Sequence, residues 1–97
     1  MVRARRPPGA SLTDVMKAGQ EQTRESYPGA RIGPLAPARL DGAPAARFDF
    51  ARAGAQARQL GAIHGDHVYL ITFSAKPGAF QRRLASLDGV LRSWRWE

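Results

Sequence analysis

The chain contains no cysteine. That excludes disulfides, thiolate nucleophiles and sulfur-ligated metals, and it makes the reducing cytoplasm the expected compartment. Lysine is scarce too. Of the 15 basic residues only Lys17 and Lys76 are lysine, so the positive charge is carried by guanidinium groups. No apolar run approaches the roughly 20 residues needed to span a bilayer. The basic segment Met1–Ala10 is not followed by an apolar stretch, so no secretory signal is expected. Nucleotide and hydrolase fingerprints are also missing. The glycines fall at turns rather than at the strand-to-helix spacing of a phosphate loop. None of Ser11, Ser26, Ser74, Ser86 or Ser93 lies in a Gly-x-Ser-x-Gly elbow. Asp49, Asp66 and Asp88 have no partner carboxylate in the sequence, so surface solvation is their expected state.

What is present suits one small folded domain. The 97 residues are too few for two domains, and an apolar fraction of 43% is ordinary for a globular chain. Net charge is +7. Such charge attracts nucleic acid or an acidic partner. However, the arginines are scattered along the chain, and abundant Ala, Gly, Pro and Arg together also reflect a GC-rich coding sequence.

Residues 1–10 read as a flexible basic arm carrying Arg3, Arg5 and Arg6, with Pro7, Pro8 and Gly9 blocking regular structure. The domain proper is expected over 11–97. Ser11 is a natural N-cap with Asp14 three positions on, and Leu12, Val15, Met16 and Thr23 recur at helical spacing, so a helix is expected over about 12–26. Tyr27-Pro28-Gly29 ends it. Pro28, Pro34 and Pro37 then suggest an extended crossing segment with a short strand at best. Three strands follow. Residues 45–53 alternate, with Ala46, Phe48 and Phe50 on one face. Residues 56–64 alternate less sharply. Residues 67–75 are β-branched and aromatic on both faces, as befits a strand inside a sheet. Gly65-Asp66 between the last two makes a tight hairpin. Pro77 opens a second helix with Phe80, Leu84 and Leu87 inward. Asp88 caps one more turn, and Ser93–Glu97 reads as an alternating strand or extended tail. The expected fold is α+β: an antiparallel sheet of three to five strands flanked by an N-terminal and a C-terminal helix.

One resemblance emerges from these segments. Gly42-Ala43-Pro44-Ala45-Ala46-Arg47-Phe48 leads into a strand, Val68-Tyr69-Leu70-Ile71-Thr72-Phe73 forms the next strong one, and a helix with Phe80 runs toward Val90-Leu91-Arg92-Ser93-Trp94-Arg95. This order resembles the C-terminal portion of the PsbP-like superfamily, which includes DcrB- and LpqN-type bacterial proteins, over about residues 12–96. The resemblance implies roles in docking and assembly and transfers no catalytic residue. Members usually begin with additional strands, often with a P-x-x-W segment, which this sequence lacks. If so, the sheet is left with an uncovered edge or face, to be closed by a second copy, a partner chain or the basic arm folding back. A homodimer is the favoured outcome.

The expected function is accordingly a protein-binding or self-assembly module rather than an enzyme, with no cofactor. Phe48, Phe50, Tyr69, Trp94 and Trp96 are its expected core or interface residues, because aromatics dominate the energetics of both. Two alternatives remain. The Arg-rich arm could hold nucleic acid or an acidic partner, with Trp94 and Trp96 stacking on bases. Alternatively His64 and His67, opposed across the hairpin with Asp66 between them, could hold a metal ion or small ligand. A metal site normally needs three or four ligands, and the chain has no other histidine.

Overall fold

The computed structural model describes residues 2–96. The order of elements is β1 (Val2–Arg5), α1 (Leu12–Ser26), β2 (Arg31–Ile32), β3 (Ala36–Leu40), β4 (Ala43–Arg52), β5 (Ala55–His64), β6 (His67–Ala75) and α2 (Pro77–Ser93). The strands form one six-stranded antiparallel sheet in the order β1-β6-β5-β4-β2, with β3 also pairing β4. The α+β class is therefore as expected, but the strand count exceeds three to five.

The two additional segments have distinct physical origins. β1 lies within the expected flexible arm, which is a correction: Val2–Arg5 pairs antiparallel with Leu70–His67 along the free edge of β6. Its residues are all exposed, so no hydrophobic alternation marks it in the sequence. What holds it is an available strand edge, and the pairing ends where the Arg6 amide donates to the Asp66 carbonyl at 2.7 Å. β3 lies in the proline-rich crossing segment. Pro37 is tolerated because β3 pairs on one side only, with β4. Asp41 and Gly42, with φ of 47° and 78°, turn β3 into β4, and two successive positive φ values are the geometry of a tight hairpin turn.

The β4–β5–β6 meander follows the sequence reading closely. β6 spans the expected residues, and His64 pairs with His67 across the Gly65-Asp66 turn. α1 also forms where expected. The Ser11 hydroxyl accepts from the Asp14 amide at 3.1 Å, and the Asp14 carboxylate accepts from the Ser11 amide at 3.2 Å, closing a capping box. Those hydrogen bonds, from backbone first and side chain second, hold the Asp14 carboxyl below its usual range. α2 is longer than the sequence suggests, one helix through Asp88 and Gly89 to Ser93, and Trp94–Trp96 follow as an extended tail rather than a strand.

The helices lie on opposite faces, because register sends alternate side chains to opposite sides. On one face α1 packs against Phe48, Phe50 and Ala57 through Met16, with Leu12, Ile32 and Leu70 at the margin. On the other, Leu40, Ala45, Leu60 and Ala62 form a second cluster closed by Leu91, Trp94 and Trp96. α2 adds Phe80, whose ring lies 5.8 Å from that of Phe73. No helix among the described residues is long and apolar enough to cross a membrane.

Candidate functional site

Two glycines set how closely α1 approaches the sheet. A Cβ on Gly61 of β5 would collide with the Met16 sulfur, and a Cβ on Gly19 of α1 would lie 2.6 Å from Gln59 Oε1. The helix therefore settles onto β4 and β5 at this crossing. It covers less of β6, and a trough is left between its flank and the β6–β1 side of the sheet.

That trough has a volume of about 610 Å³. Its floor is Phe50, Gln59, Val68 and Leu70, and its helical wall includes Val15, Ala18 and Thr23. Polar groups are few. Gln59 Nε2 donates to Thr72 Oγ1 at 3.3 Å, while Gln59 Oε1 is buried without a hydrogen-bond partner. The Thr23 hydroxyl is turned inward and donates to the Gly19 carbonyl at 2.9 Å, so the wall stays apolar there. At one end Tyr27 stacks on Phe50, with centroids 6.2 Å apart, and Arg52 lies over the Tyr27 ring, its guanidinium carbon 4.5 Å from the ring centre. At the other end the trough reaches β1 and Pro7. Such a trough can hold an apolar segment. Its aliphatic hydroxyls, Thr23, Ser26 and Thr72, have no histidine beside them in the lining, and its one carboxylate, Asp14, is engaged in the capping box with Ser11.

The expected residues divide between two places. Phe48 and Phe50 are buried under α1, at 1% and 8% exposure. Tyr69, Trp94 and Trp96 lie on the opposite face and are half-buried. There Trp96 is the hub. Its ring stacks on His64 at 4.2 Å and 3°, lies 4.8 Å from Tyr69, and meets Trp94 edge-on at 5.6 Å. Trp96 Nε1 donates to the Leu40 carbonyl at 2.9 Å and its amide donates to Asp41 Oδ2 at 3.0 Å. The tail is thereby fastened to the β3–β4 turn. Trp94 Nε1, in contrast, is buried without a partner.

The His64–Asp66–His67 cluster takes another form than the one a metal needs. His64 is committed to the face of Trp96, His67 sits against Tyr69 at 6.5 Å, and no group of three metal-ligating side chains occurs among the described residues. Arg3 and Arg5 stand on an edge strand, directly opposite Tyr69 and His67, and not on a free arm. Arg6 lies past the end of that strand, its Nε donating to the Ala10 carbonyl at 3.0 Å.

One ion pair stands out on the α2 face. Arg58 clamps Asp49 through Nε to Oδ1 at 2.7 Å and Nη2 to Oδ2 at 3.1 Å. The hydrogen bonds from Arg58 lower the Asp49 carboxyl from its ordinary value and raise the guanidinium correspondingly. The pair joins neighbouring strands β4 and β5 in register.

The trough residues were not singled out from the sequence. The available signal was a pair of glycines inside regular elements, Gly19 in a helix and Gly61 in a strand, where glycine marks close approach of another segment.

No protein-family model matches the chain, and no curated protein sequence is significantly similar to it. A solved structure does match in fold: protein PA94 of Pseudomonas aeruginosa, a protein of unknown function suggested to be a regulator. The TM-score is 0.79 at 16% identity, over 98% of this chain and 70% of that one. That likeness is one of fold alone.

Proposed function

We propose that the protein is a non-enzymatic docking module that receives an apolar segment of another polypeptide in the trough beside α1. The observation that carries this reading is the trough itself: an open, mostly apolar channel floored by Val68 and Leu70 and walled by Val15 and Ala18. Soluble domains leave contiguous apolar surface open chiefly where something binds.

A second copy of the chain is the first partner to test. The trough runs out at β1, where Val2 is 61% exposed and no further described strand pairs beyond it. An unprotected strand edge next to an apolar channel favours symmetric association. The proposal includes the PsbP-like resemblance, whose docking and assembly roles agree with it, and a cytoplasmic setting, which suits a chain without cysteine.

Sedimentation velocity tests this directly. The expected result is a concentration-dependent dimer for the wild type and a monomer for Ala18→Arg, which places a charge in the trough from an exposed helical position. A wild type that stays monomeric up to the highest soluble concentration overturns self-association. If it also fails to bind an apolar helical peptide, the docking reading goes with it.

A further inference from the structure

The fold sorts charge that the sequence scatters. On the α1 side of the sheet, Lys17, Arg24 and Arg52 are matched by Asp14, Glu21 and Glu25. The α2 side is unlike it. Register sends Arg3, Arg5, Arg31, Arg47 and Arg58 to the same face as Leu60, Tyr69 and Phe73. α2 and its flanks add Lys76, Arg82, Arg83, Arg92 and Arg95, all exposed. Against these stand Asp41, Asp49 and Asp88; Asp49 is already clamped by Arg58, and Asp41 lies 4.0 Å from Arg95. Most of the excess positive charge therefore resides on this side of the molecule. A single-sided basic surface is the electrostatic footprint that a polyanion requires.

Two local features give this surface chemistry beyond charge. Arg39, Arg47, Arg58 and Arg92 line a cleft of about 500 Å³ between α2 and β3–β4, with Asp41 and Asp88 also on its walls. Guanidinium groups, unlike ammonium, fork onto phosphate oxygens in pairs. At the far corner Arg3 and Arg5 stand opposite Tyr69 and His67, with Cβ atoms about 5 Å apart across a strand pair. There Tyr69, Trp96 and His64 form a continuous, partly exposed aromatic surface.

We propose that the α2 side binds single-stranded nucleic acid, its arginines holding the phosphate backbone and the Tyr69–Trp96–His64 cluster stacking bases. The aromatic surface beside Arg3 and Arg5 selects nucleic acid over an acidic polypeptide, since aspartate and glutamate have no flat apolar ring to stack. This site lies on the opposite face from the α1 trough, and Arg5 at the β1 edge borders both.

Fluorescence anisotropy of the intact protein with a labelled oligothymidylate of about 20 nucleotides tests it. The expected result is saturable binding at about 50 mM salt that weakens steeply as salt rises. Tryptophan emission should be quenched as the strand binds. Arg82→Ala with Arg83→Ala touches only exposed helical positions and should make the salt dependence shallower by about one unit of slope. Tyr69→Leu keeps an apolar side chain on β6 and should weaken binding about tenfold. Absence of binding at low salt overturns the proposal. So does a Tyr69→Leu variant that binds as the wild type does while poly-glutamate competes on equal terms, for then the face reads charge alone.

Discussion

Met16 and Gly61 share one volume: the Met16 thioether lies where a side chain on Gly61 would begin. Met16 is fully buried, and Gly61 pairs with Leu70 in the middle of the sheet. The missing Cβ lets α1 sit low over β5, and the height of the helix defines the trough beside it.

Gly61→Ala should therefore be costly. The collision is with a buried side chain packed from α1 against Phe48 and the sheet, so either Met16 leaves its rotamer or α1 lifts. Overpacking of this kind costs about 1–3 kcal/mol, read as a lower urea midpoint. Gly19→Ala is the informative contrast. The atom it meets is the end of a flexible glutamine, and alanine gains about 1 kcal/mol over glycine in a helix. The two effects should nearly cancel, leaving stability almost unchanged.

Truncating the α1-side core should be far worse than truncating the surface. Phe48 is 1% exposed and touches Phe50, with ring centroids 6.0 Å apart. Phe48→Ala should cost about 3–5 kcal/mol, most of a small domain's margin. Val90, at 58% exposure on α2, should change the melting temperature little on replacement by alanine.

The tail depends on Trp96. Replacing it with alanine removes the stack on His64, the contact with Tyr69 and the donor to the Leu40 carbonyl. The expected loss is about 2 kcal/mol, with the Trp94 emission shifting red as the tail detaches. Trp96→Phe keeps a ring but removes the donor to the Leu40 carbonyl and should cost about 1 kcal/mol.

The Asp49–Arg58 pair sets one part of the acid response. The folded-state pKa of Asp49 is lowered, chiefly by the hydrogen bonds from Arg58. A depressed carboxylate stabilises the fold above its unfolded value of about 3.9 and loses that contribution as pH falls through the folded value. Because the Asp49 side chain is 45% exposed, solvent screens the pair, and its worth is about 1 kcal/mol or less. Asp49→Asn should lower stability at neutral pH by that amount and leave it unchanged at the acid limit. Chemical denaturation at both ends of the range reads the difference.

Deleting residues 1–5 should test the edge strand. β6 would then present unpaired backbone groups beside Val68 and Leu70. The truncated chain should still show native far-ultraviolet circular dichroism yet aggregate at lower concentration than the full chain, because an open strand edge templates association.

Much of the framework was readable from the sequence because it is local. Ser11 and Asp14 cap α1, Pro77 starts α2, and Gly65-Asp66 fixes the β5–β6 register, each through interactions within a few residues. Alternation in 45–53 and the β-branched, aromatic run of 67–75 likewise announce their strands. β1 was not readable, since an exposed Val-Arg-Ala-Arg segment has no inward face and forms only where an edge awaits it. β3 was obscured by Pro37, a residue that only an edge strand accommodates.

Composition and local pattern thus determined the class of fold, the positions of both helices and the identity of the aromatic residues that pack. Tertiary structure alone decided which face each of them joined. It placed Phe48 and Phe50 under α1 and gathered Tyr69, Trp94 and Trp96 on the opposite face. It also collected most of the arginines on one side and left the trough on the other. The reason is that strand pairing brings distant residues into register. Arg3 meets Tyr69, and Arg58 meets Asp49, only once the sheet has closed.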